Sequence, residues 1–357
     1  MIRHTSTAGK TANLYFPTPD NVTLGAWFVL NDPFHQELLR QTNDAPKQPS
    51  IDIIQEAISR RPTALFLHGA SASRAVEWRT KAYLGFTSRL QVNVFAPDYR
   101  GFGDSEGVPS EYGLEIDAYA SWKWLLQNGA QPEDIIIVGH SLGTGVTGLL
   151  AKKLAAEGVK PKGYILLAPF TNPKDLISTF AVLGLPILRP IQAFSAGRSK
   201  SSISNTSRRL SDSDVTLRVE FLQDLVSIEL DTHSSIQDFN APTLIAHSHD
   251  DADIPYEHSR ILFDKVLDSH LPTLLSDRDG SISPEDLAAV TKARNERNVA
   301  KDALVRKTDI ANFGTVEEFS GNNAPKFVYV ECFWGRHIDV GMQEGVQDEI
   351  GRLFDLL

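Results

Sequence analysis

One stretch constrains the fold more than any other: Ile135-Ile136-Ile137-Val138-Gly139-His140-Ser141-Leu142-Gly143-Thr144-Gly145. Four branched apolar residues in a row read as a short strand buried on both faces. The residues from Leu142 to Ala156 read as a helix. The serine between them has a glycine two positions to either side. That spacing has a mechanical cause. A serine on so tight a turn takes a strained backbone conformation, and side chains two positions away collide, so glycine belongs there. The turn lifts the hydroxyl above the sheet. It also sets the hydroxyl at a helix N-terminus, where the helix dipole favours a developing negative charge. A purely structural glycine-rich turn is the plainer alternative. The strand before and the helix after weigh against it.

The rest of the chain repeats this alternation. Thr63–Leu67, 92–96, Gly163–Leu167 and 242–247 are short, apolar strand candidates. Helical stretches over 78–90, Glu111–Gln127 and 256–267 separate or follow them, and a last strand over 326–333 leads into a closing helix over 340–356. Ahead of this lie two strand candidates, 13–17 and 22–30, joined by the turn signal Thr18-Pro19-Asp20-Asn21, then a proline-containing loop and a short helix over 51–59. Strand–helix–strand alternation with strands apolar throughout predicts an α/β fold with a mostly parallel, doubly wound sheet. The expectation is one domain over residues 1–357, interrupted by a cap or lid insertion at 171–240 and a second insertion at 271–325.

A serine hydroxyl is a weak nucleophile until a base takes its proton, and the base needs an orienting carboxylate. In sheets of this kind these follow the serine in the order acid, then histidine. The acid is expected in the loop after strand 242–247, His249-Asp250-Asp251-Ala252-Asp253-Ile254-Pro255. Three aspartates compete. Asp251 fits best, with Ile254 and Pro255 three and four positions on; Asp250 and Asp253 are then solvated or supporting groups. The base is expected after the last strand, where His337 is the only histidine. His4, His35, His233, His258 and His270 read as surface residues, His247 ends a strand, and His140 belongs to the turn. Two backbone N–H groups are needed for a developing oxyanion. Leu142 and Ala70, the latter in the His68-Gly69-Ala70-Ser71 loop, are the candidates.

These residues carry a family resemblance. His68-Gly69, Pro97-Asp98-Tyr99-Arg100-Gly101-Phe102-Gly103-Asp104-Ser105-Glu106-Gly107, Pro109-Ser110-Glu111, residues 139–145 and Ala168-Pro169-Phe170-Thr171-Asn172 resemble one branch of the α/β-hydrolase superfamily. The branch holds the monoacylglycerol and lysophosphatidylserine lipases and their fungal relatives. The resemblance implies an α/β-hydrolase fold and hydrolysis of a single-chain lipid ester, a monoacylglycerol or a lysophospholipid. It implies a Ser-His-Asp acyl-enzyme mechanism on Ser141, His337 and Asp251, with no metal or organic cofactor. The chain departs from the branch in lacking the Asn-Ala-Gly continuation after His68-Gly69 and in the length of its second insertion. A serine peptidase of the same fold, or a non-catalytic binding protein, are the alternatives. The chain carries too few residues before Thr63 for the large N-terminal domain such peptidases have, and the complete Ser-Asp-His set argues against the second.

Composition narrows the partners. A net charge of −10 opposes a nucleic-acid partner, which needs a basic footprint. Cys332 is the only cysteine, so the chain makes no internal disulfide. No signal peptide and no apolar run long enough to span a bilayer are read. A cytoplasmic or peripherally membrane-associated protein is therefore expected. Residues 176–194 are apolar with two prolines. They read either as a core-packed helix pair or as a lid covering an acyl chain or touching a bilayer. Arg198, Arg208 and Arg209 nearby are phosphate-binding candidates or solvated loop residues. Asp277-Arg278-Asp279-Gly280, with Ile282 and Asp286, resembles a calcium loop, but Leu275 stands where the first ligand belongs. Ser283-Pro284-Glu285 reads better as a helix start.

Overall fold

The computed structural model describes residues 9–41, 47–70, 72–176, 230–272, 284–321 and 324–356. Most of the expected cap, the three arginines at 198, 208 and 209, and residues 273–283 of the calcium-like stretch lie outside the described residues.

Two antiparallel strands, β1 (Thr11–Pro17) and β2 (Thr23–Val29), open the chain. Helices α1 (Asp32–Gln41) and α2 (Ile51–Arg60) follow. The sequence reading missed α1. Its proline is its second residue, where a missing N–H is tolerated. Next come β3 (Thr63–Leu67), α3 (Glu77–Leu84), β4 (Asn93–Pro97), α4 (Glu111–Gln127), β5 (Ile135–His140), α5 (Leu142–Ala156) and β6 (Gly163–Leu167). Helix α3 is shorter than the expected 78–90, because the chain widens into a π-helical turn at Gly85–Arg89. Beyond the expected cap come β7 (Thr243–Ser248), α6 (Glu257–Leu267), α7 (Pro284–Leu304), β8 (Val305–Ile310), β9 (Gly314–Phe319), β10 (Phe327–Cys332) and α8 (Glu344–Leu353).

The strands form one sheet in the order β1-β2-β4-β3-β5-β6-β7-β10-β9-β8. From β4 to β10 every pair is parallel. The chain therefore leaves all six of these strands at one common edge. Strand β4 lies on one side of β3 and β5 on the other, so the winding reverses there, and the carboxyl edge beside such a reversal is where open α/β sheets hold ligands. Side chains alternate across the sheet. Leu65, Leu67, Ile135, Ile137, Leu166 and Ile245 share one core with Trp122, Leu150 and Phe263 of α4, α5 and α6. Ala64, Phe66, Ile136, Val138, Ile165 and Val330 share the other with Tyr83, Phe86 and Ile350. Both faces are covered, so the central strands read as unbroken apolar runs.

The expected second insertion contributes a helix beginning at Pro284 and a β8–β9 hairpin that pairs antiparallel with β10 and extends the sheet. Its exposed edge strand carries Arg306, Lys307 and Asp309, charges that discourage pairing with another chain. Among the described residues no helix is long and apolar enough to cross a membrane.

The loop after β4 is tied down by charge. Arg100 Nη2 lies 2.9 Å from Asp117 Oδ1 on α4. Its Nη1 lies 2.8 Å from Asp20 Oδ2 in the β1–β2 turn. The Arg100 backbone N–H also donates to Asp117 Oδ2 at 2.8 Å. Burial pushes the Asp117 carboxyl upward, against the pull of Arg100. Removing Arg100 strands that buried carboxylate. Arg100→Met is expected to lower the unfolding free energy by about 3–5 kcal/mol. Adding Asp117→Leu is expected to recover most of the loss, as read by urea denaturation of both variants.

Candidate active site

Strand β5 ends at His140 and α5 begins at Leu142, leaving Ser141 alone on the turn with φ 54° and ψ −121°. A positive φ strains a residue with a side chain, and the conformation persists because the surrounding structure over-determines it. The Ser141 N–H donates to Leu167 O at 3.0 Å, at the end of β6, and the Ser141 carbonyl accepts from Thr144 N at 2.9 Å. A Cβ at Gly143 meets Leu67 O at 2.0 Å, and one at Gly139 meets Gly143 O at 2.5 Å. Both glycines are thus required by close backbone approach.

The parallel strands bring three separated residues to this turn. Asp251 follows β7 and His337 follows β10. His337 Nε2 lies 2.9 Å from Ser141 Oγ, and His337 Nδ1 lies 2.9 Å from Asp251 Oδ2. A carboxylate only accepts, so Nδ1–H donates to Asp251 and Nε2 is free to accept the Ser141 hydroxyl proton. Burial pushes the Asp251 carboxyl up, but His337 and His247 beside it hold it far below the usual carboxylate range. Its other oxygen accepts the N–H groups of Asp253 and Ile254, each at 2.8 Å. The histidine turn is itself strained, with Gly335 at φ 144° and Arg336 at φ 49°. Asp250 fixes it by accepting the Arg336 N–H at 2.7 Å. Asp250 is thus a supporting group.

Leu142 follows the serine directly, and Ala70 follows Gly69, whose backbone packs against it. The Leu142 N–H opens α5, where no intrahelical partner exists. A Cβ at Gly69 lies 3.1 Å from Ser141 Cβ, so the loop after β3 runs against the serine. Arg79 of α3 holds that loop from behind. Its Nη2 donates to Gly69 O at 2.7 Å and Ala70 O at 3.0 Å, and its Nη1 donates to Ser73 O at 2.7 Å. Because the peptide is planar, turning the Gly69 carbonyl toward Arg79 turns the Ala70 N–H the opposite way. The sequence reading missed Arg79, since an arginine in a helix reads as a solvated face. His68 is packed below, with Nε2 3.0 Å from Asp98 Oδ1, and burial pushes its pKa down.

The histidines need one correction. His35 and His258, read as surface residues, are 1% and 4% exposed. His258 Nδ1 lies 3.0 Å from Thr171 Oγ1. Burial lowers its pKa to about 4. His35 sits on the same buried stripe of α1 as Phe34. A single histidine in an amphipathic stretch gives no sign of which face it takes. His140 is likewise buried, and its Nε2–H donates to the His337 carbonyl at 2.8 Å. Burial and the neighbouring His337 lower the His140 pKa to about 3. Asp251, Asp253 and His337 also bring one ligand atom each within 4.8 Å of one another. Both Asp251 oxygens already accept protein N–H groups, so a cation there competes with the hydrogen bonds to His337 and the loop.

Residues 64–290 match the model of the alpha/beta hydrolase family. The lysophosphatidylserine lipase ABHD12 of Danio rerio is 30% identical over 261 residues, which are 72% of this chain and 59% of that protein. ABHD12 of Rattus norvegicus is 34% identical over 166 residues, 46% of this chain and 39% of that protein. The chain thus spans only 59% and 39% of the lengths of these two relatives. A crystal structure of an alpha-beta hydrolase from Vibrio vulnificus aligns with a TM-score of 0.48 at 16% identity, covering 96% of this chain and 81% of that one.

Two outcomes follow from this geometry. Gly143→Ala forces α5 off β3 and is expected to lose about 2–3 kcal/mol of stability through overpacking. Gly129→Ala, at φ 99° with nothing within 4 Å, is expected to lose only the roughly 1–2 kcal/mol of a left-handed backbone. Urea midpoints compare the two. Second, a buried His140 kept neutral contributes stability above its unfolded pKa of 6.5, and loses it as pH falls toward 3. The unfolded chain binds the proton first, so stability drops by up to about 1.4 kcal/mol per pH unit for this group. His140→Gln is expected to flatten the curve of unfolding free energy against pH between 6 and 4.

Proposed function

The chain belongs to the alpha/beta hydrolase family, and on that footing we propose that it is a serine hydrolase of single-chain lipid esters, a lysophospholipid or a monoacylglycerol. One observation carries the mechanism: Ser141 Oγ, His337 and Asp251 joined by two hydrogen bonds of 2.9 Å at the carboxyl edge of the sheet. The substrate class draws on the lysophosphatidylserine lipases among its relatives.

Ser141 Oγ attacks the ester carbonyl while His337 Nε2 takes its proton. The carbonyl oxygen becomes an oxyanion held by the Leu142 and Ala70 N–H groups. His337, now positive, is balanced by ionised Asp251. It returns the proton to the departing alcohol, the glycerol end of the lipid. Water then enters and gives a proton to His337 as its oxygen attacks the acyl carbon; His337 passes that proton to Ser141 Oγ as the bond to the acyl carbon breaks, and the fatty acid leaves. Arg79 touches no reacting atom; it fixes the loop that carries the Ala70 N–H.

A fluorophosphonate probe is expected to label Ser141 in the wild type and to leave Ser141→Ala unlabelled; a folded wild type that resists the probe overturns the proposal. Asp251→Asn is expected to lower kcat by about 10⁴, through loss of the required histidine tautomer. Arg79→Met is expected to lower it by about 10²–10³, the effect of misplacing one oxyanion donor. Lysophosphatidylserine, other lysophospholipids, monoacylglycerols and a peptide serve as the substrate series. Cleavage of the peptide alone favours a peptidase.

A further inference from the structure

Asp251 carries a second histidine on the oxygen that serves His337. His247 Nε2 lies 3.0 Å from Asp251 Oδ2. The same nitrogen lies 2.9 Å from Ile254 O. Both neighbours are acceptors, so Nε2 bears the proton and shares it between them. His247 Nδ1 is then the acceptor, and Ser259 Oγ of α6 lies 2.6 Å from it. The hydrogen bonds therefore run in one line: Ser259, His247, Asp251, His337, Ser141. The aspartate is at its centre, with a histidine and a serine on each side.

The two arms differ in access. His247 and Ser259 are both 0% exposed, against 9% for His337. No substrate reaches the inner serine, so the inner arm is not a second reaction centre. Its route to the outer arm is the shared carboxylate. We infer that His247, its tautomer set by the two acceptors on Nε2 and its ring seated by Ser259, is a positioning residue that fixes Asp251 and moderates how strongly Asp251 favours the protonated form of His337. This rests on the reading of Ser141, Asp251 and His337 given above.

The physical argument is competition for one oxygen. Each N–H on Oδ2 withdraws negative charge from it. With the His247 donor removed, Oδ2 faces His337 alone and stabilises its imidazolium more. His337 must be neutral to accept the serine proton, so the acid limb of the pH–rate profile moves to higher pH. The carboxylate is not released in the process, since Oδ1 still accepts from Asp253 and Ile254. Other ionisable groups around the pair are His140 at the end of β5, Asp250 and Asp253 in the loop after β7, and His258 on α6. All stay in place in the variants below.

The test is the rate of Ser141 phosphonylation by a fluorophosphonate, followed from pH 4 to 9. It needs no knowledge of the lipid. His247→Leu is expected to slow labelling by about 10–100-fold and to raise the midpoint of the acid limb by about one pH unit. His247→Gln keeps an N–H donor and is expected to return the midpoint toward the wild type. Ser259→Ala removes the hydrogen bond that seats the His247 ring and is expected to shift the midpoint the same way by less. This small substitution carries the test if His247→Leu does not fold. A wild type that is not labelled defeats the reading of the site itself. A labelled wild type whose midpoint stays unmoved in folded His247→Leu, or in Ser259→Ala where the leucine variant does not fold, overturns the inference alone.

Discussion

Helix α5 starts so close to the end of β3 that a Cβ at Gly143 lies 2.0 Å from the Leu67 carbonyl oxygen. Everything at the site is built around that contact. It fixes the angle of the helix, which fixes the strained Ser141 at its head. It also places the loop after β3 against the serine, with Gly69 filling the space a side chain would take. A larger residue at Gly143 moves the helix, and the helix carries with it both the hydroxyl and the Leu142 N–H. The strain at Ser141 persists because the Leu167 carbonyl and the first turn of α5 hold the backbone from both sides.

The polar groups behind the serine obey one rule: each is desolvated and each is paired. Asp251 stays charged with a fully buried side chain because four N–H groups point at its two oxygens. His140 stays neutral because burial and His337 both oppose its proton, and its N–H is used on the His337 carbonyl. Arg79 spends its guanidinium on backbone carbonyls of the loop that passes Ser141. A network of this kind left only partly satisfied costs more than an apolar core. The dense pairing therefore leaves little freedom in how Ser141, His337 and Asp251 are disposed.

Much of this was legible in the chain. The unbroken apolar runs at Thr63–Leu67 and Gly163–Leu167 match β3 and β6, because a strand covered on both faces has no polar side to show. The helix after Ser141 was marked by its glycines and its apolar face. What escaped was of two kinds. Helix α1 and the β8–β9 hairpin lie at the margins, where polar residues face solvent and the periodic signal is weak. His247, His258 and Arg79 are polar residues whose neighbours come from distant elements. His247 stands four positions before Asp251, a spacing visible in the sequence, yet its contact depends on how the loop folds back.

By itself the sequence determined the elements, because apolar periodicity and turn chemistry are local properties. It also determined which residue types stand at the strand ends: Ser141, Asp251 and His337. Only the tertiary structure decided which nitrogen of which histidine faces which oxygen, and that Asp251 answers to two histidines rather than one. The reason is physical. Six parallel strands deliver Ser141 and His337, 196 positions apart, to one edge, and hydrogen bonds a few ångströms long depend on the register between those strands, which no local stretch of chain encodes.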